Sequence, residues 1–165
     1  MSASRVVVAR PMQPPDANAQ GNVHGGVILR MMDEAAGIAV ARHTHSRAVT
    51  AAIDSFSFLH PVHIGDFVTV LASINWVGRS SLEVGVRVEA ENLRTGAVTH
   101  TGTGRLIYVS IDEQGRPKPV PPLIPETDDD RRRMAEAEER QKARVAARQP
   151  DQEASRSDIQ ARQFG

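Results

Sequence analysis

Asp33 stands inside an apolar helical run, in the segment GNVHGGVILRMMDE (residues 21–34). Around it Val27, Ile28, Met31, Met32, Ala35, Ile38 and Ala39 recur at spacings of three and four, the signature of a helix with a buried stripe. The same spacing puts Asp33 on the face that carries Gly26, Arg30 and Gly37. One interpretation is a surface stripe with an Arg30–Asp33 pair. Glycines flanking a carboxylate, however, remove bulk from that face and let another group approach closely. At the start of the helix, Gly25 and Gly26 present amide N–H groups to any oxygen placed there. A carboxylate about two turns from a polarising helix end suits hydrolysis of an ester-like carbonyl.

The elements that must position these groups can be read in outline. A helix is predicted over residues 24–42, with Asn22 or His24 as N-cap. RVVVAR (5–10) reads as a strand before it, and four strands follow: VTAAIDSFSFL, DFVTVLASINWV, SLEVGVRVEA and AVTHTGTGRLIYVSI. In the third of these, Leu82, Val84, Val86 and Val88 share one face, and Glu83, Arg87 and Glu89 the other. Turn signals at Gly65-Asp66, at Gly78-Arg79-Ser80 and at RTG (94–96) make this an antiparallel meander. Gly102 and Gly104 fall on one face of the last strand, where backbone can be approached closely. A long, widely apolar helix followed by a meander predicts an α+β fold: one antiparallel sheet wrapped around one central helix.

We divide the chain into a main domain at 1–120, a Pro-rich strap with a charged helix at 121–148, and a tail at 149–165 expected to be disordered. Thr127 can cap the charged helix, whose Glu136–Arg140 and Glu138–Lys142 spacings favour pairing; such a helix is solvated or docks by a narrow face on a partner subunit. Basic and acidic residues balance at 20 each, which argues against a nucleic-acid or anionic-membrane protein. With no cysteine, disulfides, thiolate metal sites and a cysteine nucleophile are excluded. No segment approaches the roughly 20 apolar residues of a membrane span, and the N-terminal region does not read as a secretory signal. A cytoplasmic protein is the expectation.

The segments GNVHGGVILRMMDEAAGIAVARH, VTAAIDSFSFLHPVHIGD, VGRSSLEVGVRVEAEN and RRRMAEAEERQKAR together resemble the hotdog-fold acyl-CoA thioesterases, in particular the cytosolic or brain-type acyl-CoA hydrolases and their short bacterial relatives. The resemblance spans about residues 5–145 in unbroken order. It implies that Asn22 and Asp33 are the catalytic asparagine and aspartate, contributed to one site by different protomers. It further implies that the Gly25 and Gly26 amides face the thioester oxygen, and that Gly78, Arg79, Ser80 and Ser81 form a loop against coenzyme A. The Val49–Thr50 strand would run beside the pantetheine arm, and Phe58 would line its channel. Relatives of this kind assemble as trimers of dimers. The resemblance calls for no cofactor or metal beyond the coenzyme A of the substrate. Asp33 would act as general base on water, or as a nucleophile giving a mixed anhydride.

Two other functions compete. A hotdog dehydratase or hydratase would use a histidine before the helix, where His24 stands; a non-catalytic acyl-CoA sensor would bind without turnover. The HTH (43–45) and HPVH (60–63) histidines lack the further ligands a metal shell needs. GRSSL lacks the final glycine and strand-to-helix setting of a serine-hydrolase elbow.

Overall fold

The computed structural model describes the backbone of residues 1–163 and the side-chain surroundings of residues 1–147; the tail assigned to 149–165 lies outside those fully described. Five strands, β1 (Val6–Pro11), β2 (Arg47–Phe58), β3 (Asp66–Val77), β4 (Ser81–Asn92) and β5 (Ala97–Ile111), form one sheet. Its order is β1-β3-β4-β5-β2, antiparallel throughout. Helix α1 (Gly25–Thr44) packs across all five strands, and α2 (Asp128–Gln163) follows the strap. This is the hotdog arrangement.

The helix starts where the sequence places it. His24 is the cap, its Nδ1 accepting from Gly26 N–H at 2.9 Å. Ile28, Met31, Met32, Ala35, Ala39 and Val40 are buried against Val68, Val70, Ile74, Leu82, Val84 and Leu106 of the sheet. Removing each large side chain of this group from water contributes about 1.5–3 kcal/mol. Ile38 departs from the expected stripe: it is 41% exposed, on the side of α1 facing away from this core.

Strand β2 is a second departure. It does not pair with β3 as a four-strand meander requires, but lies on the far edge beside β5. Pro61 ends it, and the crossing segment is tied beneath the start of α1: Val23 N–H donates to Val62 O at 2.8 Å, and Asn22 bridges His63. Gly104 shows why the last strand needs small residues. A Cβ there would come within 2.7 Å of Met32 Cε and 2.9 Å of the Ser55 carbonyl.

The strap runs without regular structure and is stitched to the sheet by Val120 N–H to Arg79 O (3.0 Å), with Leu123 buried. Thr127 caps α2 as expected, accepting from Asp130 N–H at 3.1 Å. Asp130 accepts from the Glu126 and Thr127 amides in return. Burial would raise the Asp130 carboxyl, yet those amides and the Arg133 guanidinium hold it at about 2. The helix docks on its own sheet. Glu83, fully buried on the convex face, accepts from Arg140 at 2.7 Å and from Arg144 at 3.0 Å. Arg144 also pairs with Asp54 of β2 at 3.0 Å. Glu136, expected to pair with Arg140, pairs instead with Arg132, because Glu83 takes the Arg140 guanidinium; Glu138–Lys142 forms as expected, at 3.7 Å.

Candidate active site

Asp33 is exposed on α1 and faces the β2 edge of the sheet. Its Oδ1 accepts two short hydrogen bonds, from Thr50 Oγ1 and from Tyr108 OH, both at 2.7 Å. Thr50 and Tyr108 are cross-strand partners on β2 and β5, so one register brings both hydroxyls to one oxygen. Tyr108 OH also lies 2.9 Å from the Asp33 carbonyl. Asp33 Oδ2 has no partner among the described residues. The surface pair considered for Asp33 is absent, since Arg30 bonds Glu34 at 2.8 Å. Burial pushes the Tyr108 phenol well above its ordinary value; a bond with Thr50 opposes this, and the neighbouring Asp33 charge adds to it. Tyr108 is therefore a neutral, fixed donor. With Thr50, it leaves the carboxylate one anchored oxygen and one free one.

A second group gathers at the N-terminus of α1, about 12 Å along the helix from Asp33 by its 1.5 Å rise per residue. Here Asn18, Asn22, Gly25 and Phe58 line a cavity of about 400 Å³. Asn18 is built into a turn: its Oδ1 accepts from the amides of Gln20 (2.9 Å) and Asn22 (3.2 Å). Gly21 completes the turn with φ +82°, a conformation that favours glycine. Asn18 Nδ2 is left without a partner among the described residues. The turn is held by Asp16, which receives both Arg10 guanidinium nitrogens at 2.8 Å and the Gln13 amide. The Arg10 hydrogen bond, with the Gln13 amide, keeps the Asp16 carboxyl below the usual range.

Of the two glycine amides, Gly26 N–H is taken up by His24 Nδ1, while Gly25 N–H has no acceptor among the described residues. Phe58, 55% exposed, stacks edge-on to Phe56 and lies over Gly25. The Gly78–Ser81 turn lies at the opposite end of the sheet. It is closed by Gly78 N–H to Ser81 O at 2.8 Å, with Arg79 exposed. Ser81, Val109 and Val49 occupy one transverse row, so the turn, the Val49–Thr50 segment and Asp33 form one group. Asn18, Asn22, Gly25 and Phe58 form another.

Two residues of these groups escape a reading of the sequence. Tyr108 sits 75 positions from Asp33 in LIYVS, where it reads as a core aromatic; being the chain's single tyrosine, with a hydroxyl that burial obliges to find a partner, it was the available signal. Asn18 was overshadowed by Asn22, four residues on.

The family model described as the thioesterase superfamily matches residues 20–97 of this fold. The chain belongs to that superfamily, with the acyl-CoA thioester hydrolases. A Bacillus subtilis protein described as an uncharacterised acyl-CoA thioester hydrolase is 39% identical over 127 residues, covering 77% of this chain and 74% of its own. The crystal structure of an apo-hexameric acyl-CoA thioesterase superposes with a TM-score of 0.85 at 37% identity, over 90% of this chain and 95% of that one. An acyl-CoA hydrolase from Staphylococcus aureus, solved with butyryl coenzyme A and coenzyme A, superposes with a TM-score of 0.86 at 30% identity, over 96% and 97%. The same enzyme has been solved with an asparagine, an aspartate or a threonine replaced by alanine. Its asparagine precedes the aspartate by fifteen positions, and its threonine follows by seventeen.

Proposed function

We propose that the protein hydrolyses fatty acyl-CoA to a free fatty acid and coenzyme A, at a site completed by two protomers. The observation that carries this reading is the Asp33 carboxylate, clamped at Oδ1 by Thr50 and Tyr108 and free at Oδ2. Asp33 Oδ2 takes a proton from water as the water oxygen attacks the thioester carbon. The oxyanion that develops is met by Gly25 N–H at the helix end. Collapse breaks the C–S bond, and the coenzyme A thiolate leaves with the proton that Asp33 took up, which restores the carboxylate.

The asparagine that orients water is assigned to Asn18. In this chain Asn18, Asp33 and Thr50 keep the fifteen- and seventeen-residue spacings of the residues replaced in the Staphylococcus aureus hydrolase, whereas Asn22 does not. The free Nδ2 of Asn18 supports the same choice.

The two half-sites are joined by β2. This strand is an unpaired edge twelve residues long, with Val49 and Ile53 nearly half exposed and Phe58 more so. A long apolar edge favours pairing with another strand. Antiparallel pairing of two β2 strands about a twofold axis puts the Phe58 end of one protomer beside the Val49–Thr50 end of its partner. That brings Asn18 and Gly25 of one subunit to Asp33 of the other. The Gly78–Ser81 turn, with Arg79, is assigned to coenzyme A phosphates, and dimers assemble further into a hexamer.

Mixing subunits tests the composite site. Asn18→Ala and Asp33→Asn proteins are expected to lose at least about tenfold and a hundredfold in turnover, respectively. Unfolded together and refolded, they should regain about a quarter of wild-type turnover, because half the dimers then hold one intact site of two. No recovery, with mixed dimers demonstrated, refutes a site shared between protomers.

A further inference from the structure

On the side of the sheet opposite α1, a cavity of about 540 Å³ opens between the convex face and α2. Its walls are arginines: Arg5 before β1, Arg87 on β4, Arg105 on β5, and Arg132, Arg133 and Arg140 on α2; Glu136 is the one acid among its lining residues. Most of these cations are already neutralised from behind. Arg87 pairs with Glu89 at 2.7 Å, Arg132 with Asp129 and Glu136, and Arg140 with Glu83. Arg5 and Arg133 share Asp130, at 3.5 and 2.6 Å.

Arg105 differs. Among the described residues it has no carboxylate partner, and its Nη1 donates only to Ser55 Oγ at 3.1 Å. A second donor is also unspent: Arg133 Nε is buried without a hydrogen bond, its 3.2 Å approach to Asp129 lacking the geometry for one. Two and three strands across the same face, Leu71 and Val7 are cross-strand partners, 37% and 63% exposed, with Ser73, Asn75 and Thr103 lining the cavity between them and Arg105.

One uncompensated guanidinium with an aliphatic shelf about 10–14 Å away, two to three strand spacings, matches a monoanion with a hydrocarbon body long enough to span that gap. A polyphosphate would need several uncompensated cations, and a base or other aromatic ring would find no aromatic side chain among the lining residues. We propose that this cavity binds an aliphatic carboxylate, its head on Arg105 and its chain along Val7 and Leu71. The acid released in the reaction proposed above belongs to this class, so the site would report on product; that link alone rests on the proposed function, and the binding does not.

Calorimetric titration of the full chain with dodecanoate, kept below its micelle-forming concentration, tests this. Arg105→Gln should weaken the affinity about tenfold or more, since it removes a charge-assisted pair. Turnover of acyl-CoA should stay within twofold, because Arg105 lies across the sheet from Asp33. Leu71→Ser should weaken dodecanoate but leave butyrate, too short to use the shelf, unchanged. Equal dodecanoate affinity in wild type and Arg105→Gln overturns the proposal. So does an Arg105-dependent affinity for ADP or pyrophosphate in place of dodecanoate, or a change of oligomeric mass in Arg105→Gln, which would mark the face as a subunit contact. Arg105-dependent binding in a protein with no turnover on any acyl-CoA would remove the hydrolase reading and leave this one standing.

Discussion

Replacing Tyr108 by phenylalanine keeps the ring and deletes one hydroxyl, which donates to Asp33 Oδ1 at 2.7 Å. A hydrogen bond to an ionised group contributes about 1.5–3 kcal/mol. Each 1.36 kcal/mol is a factor of ten in rate, so losing the whole of that anchoring slows catalysis by about ten- to a hundredfold. Thr50 still holds Oδ1, so the low end of this range is expected for the single variant. Adding Thr50→Ala to it should cost more than the two separate effects multiplied, because both donors fix one oxygen. Stopped-flow thiol release, with thermal melting alongside, reads the loss. A kcat within twofold of wild type, in a variant that melts normally, would refute the clamp as a catalytic device.

Glu83→Gln should cost about 3 kcal/mol, since it leaves Arg140 and Arg144 without their buried carboxylate, and should make α2 sensitive to protease; unchanged melting would refute the latch. Burial would raise the Glu83 carboxyl, but Arg140 and then Arg144 and Asn75 hold it below its ordinary 4.5. Its contribution is therefore complete above that value and is lost as pH falls through the lowered one, so acid unfolding of the wild type should have a component missing from Glu83→Gln. Gly104→Ala should destabilise by about 1–3 kcal/mol in urea titrations, because the Ser55 carbonyl cannot move aside as a side chain could. Asn18→Ala should lower turnover at least tenfold and Asn22→Ala less than threefold; the reverse order would return the asparagine role to Asn22.

The sequence made the helix legible because its apolar period is regular from Val27 to Ala39, and Asp33 stood out as a carboxylate facing close-approach glycines. What surrounds that charge depended on strand order. Tyr108 reaches Asp33 only because β2 sits beside β5, and a sequence of turn signals leads one to place β2 beside β3. Glu83 alternates correctly with Leu82 and Val84, so it reads as a solvent-facing residue. It is buried because a helix that begins 45 positions later folds back over it, a long-range event with no local signal. Gly26 illustrates a finer limit: its amide is near the right place, but the side chain two residues earlier has already claimed it.

Release of free coenzyme A thiol from a ladder of short- to long-chain acyl-CoAs, with wild type beside Asp33→Asn, tests the central claim most directly. The chain has no cysteine to add a background. The account predicts turnover that depends on chain length and falls at least a hundredfold in the variant, with the assembly and melting temperature unchanged. Turnover that survives the loss of the Asp33 carboxylate, or no turnover on any acyl-CoA that demonstrably binds, would contradict it.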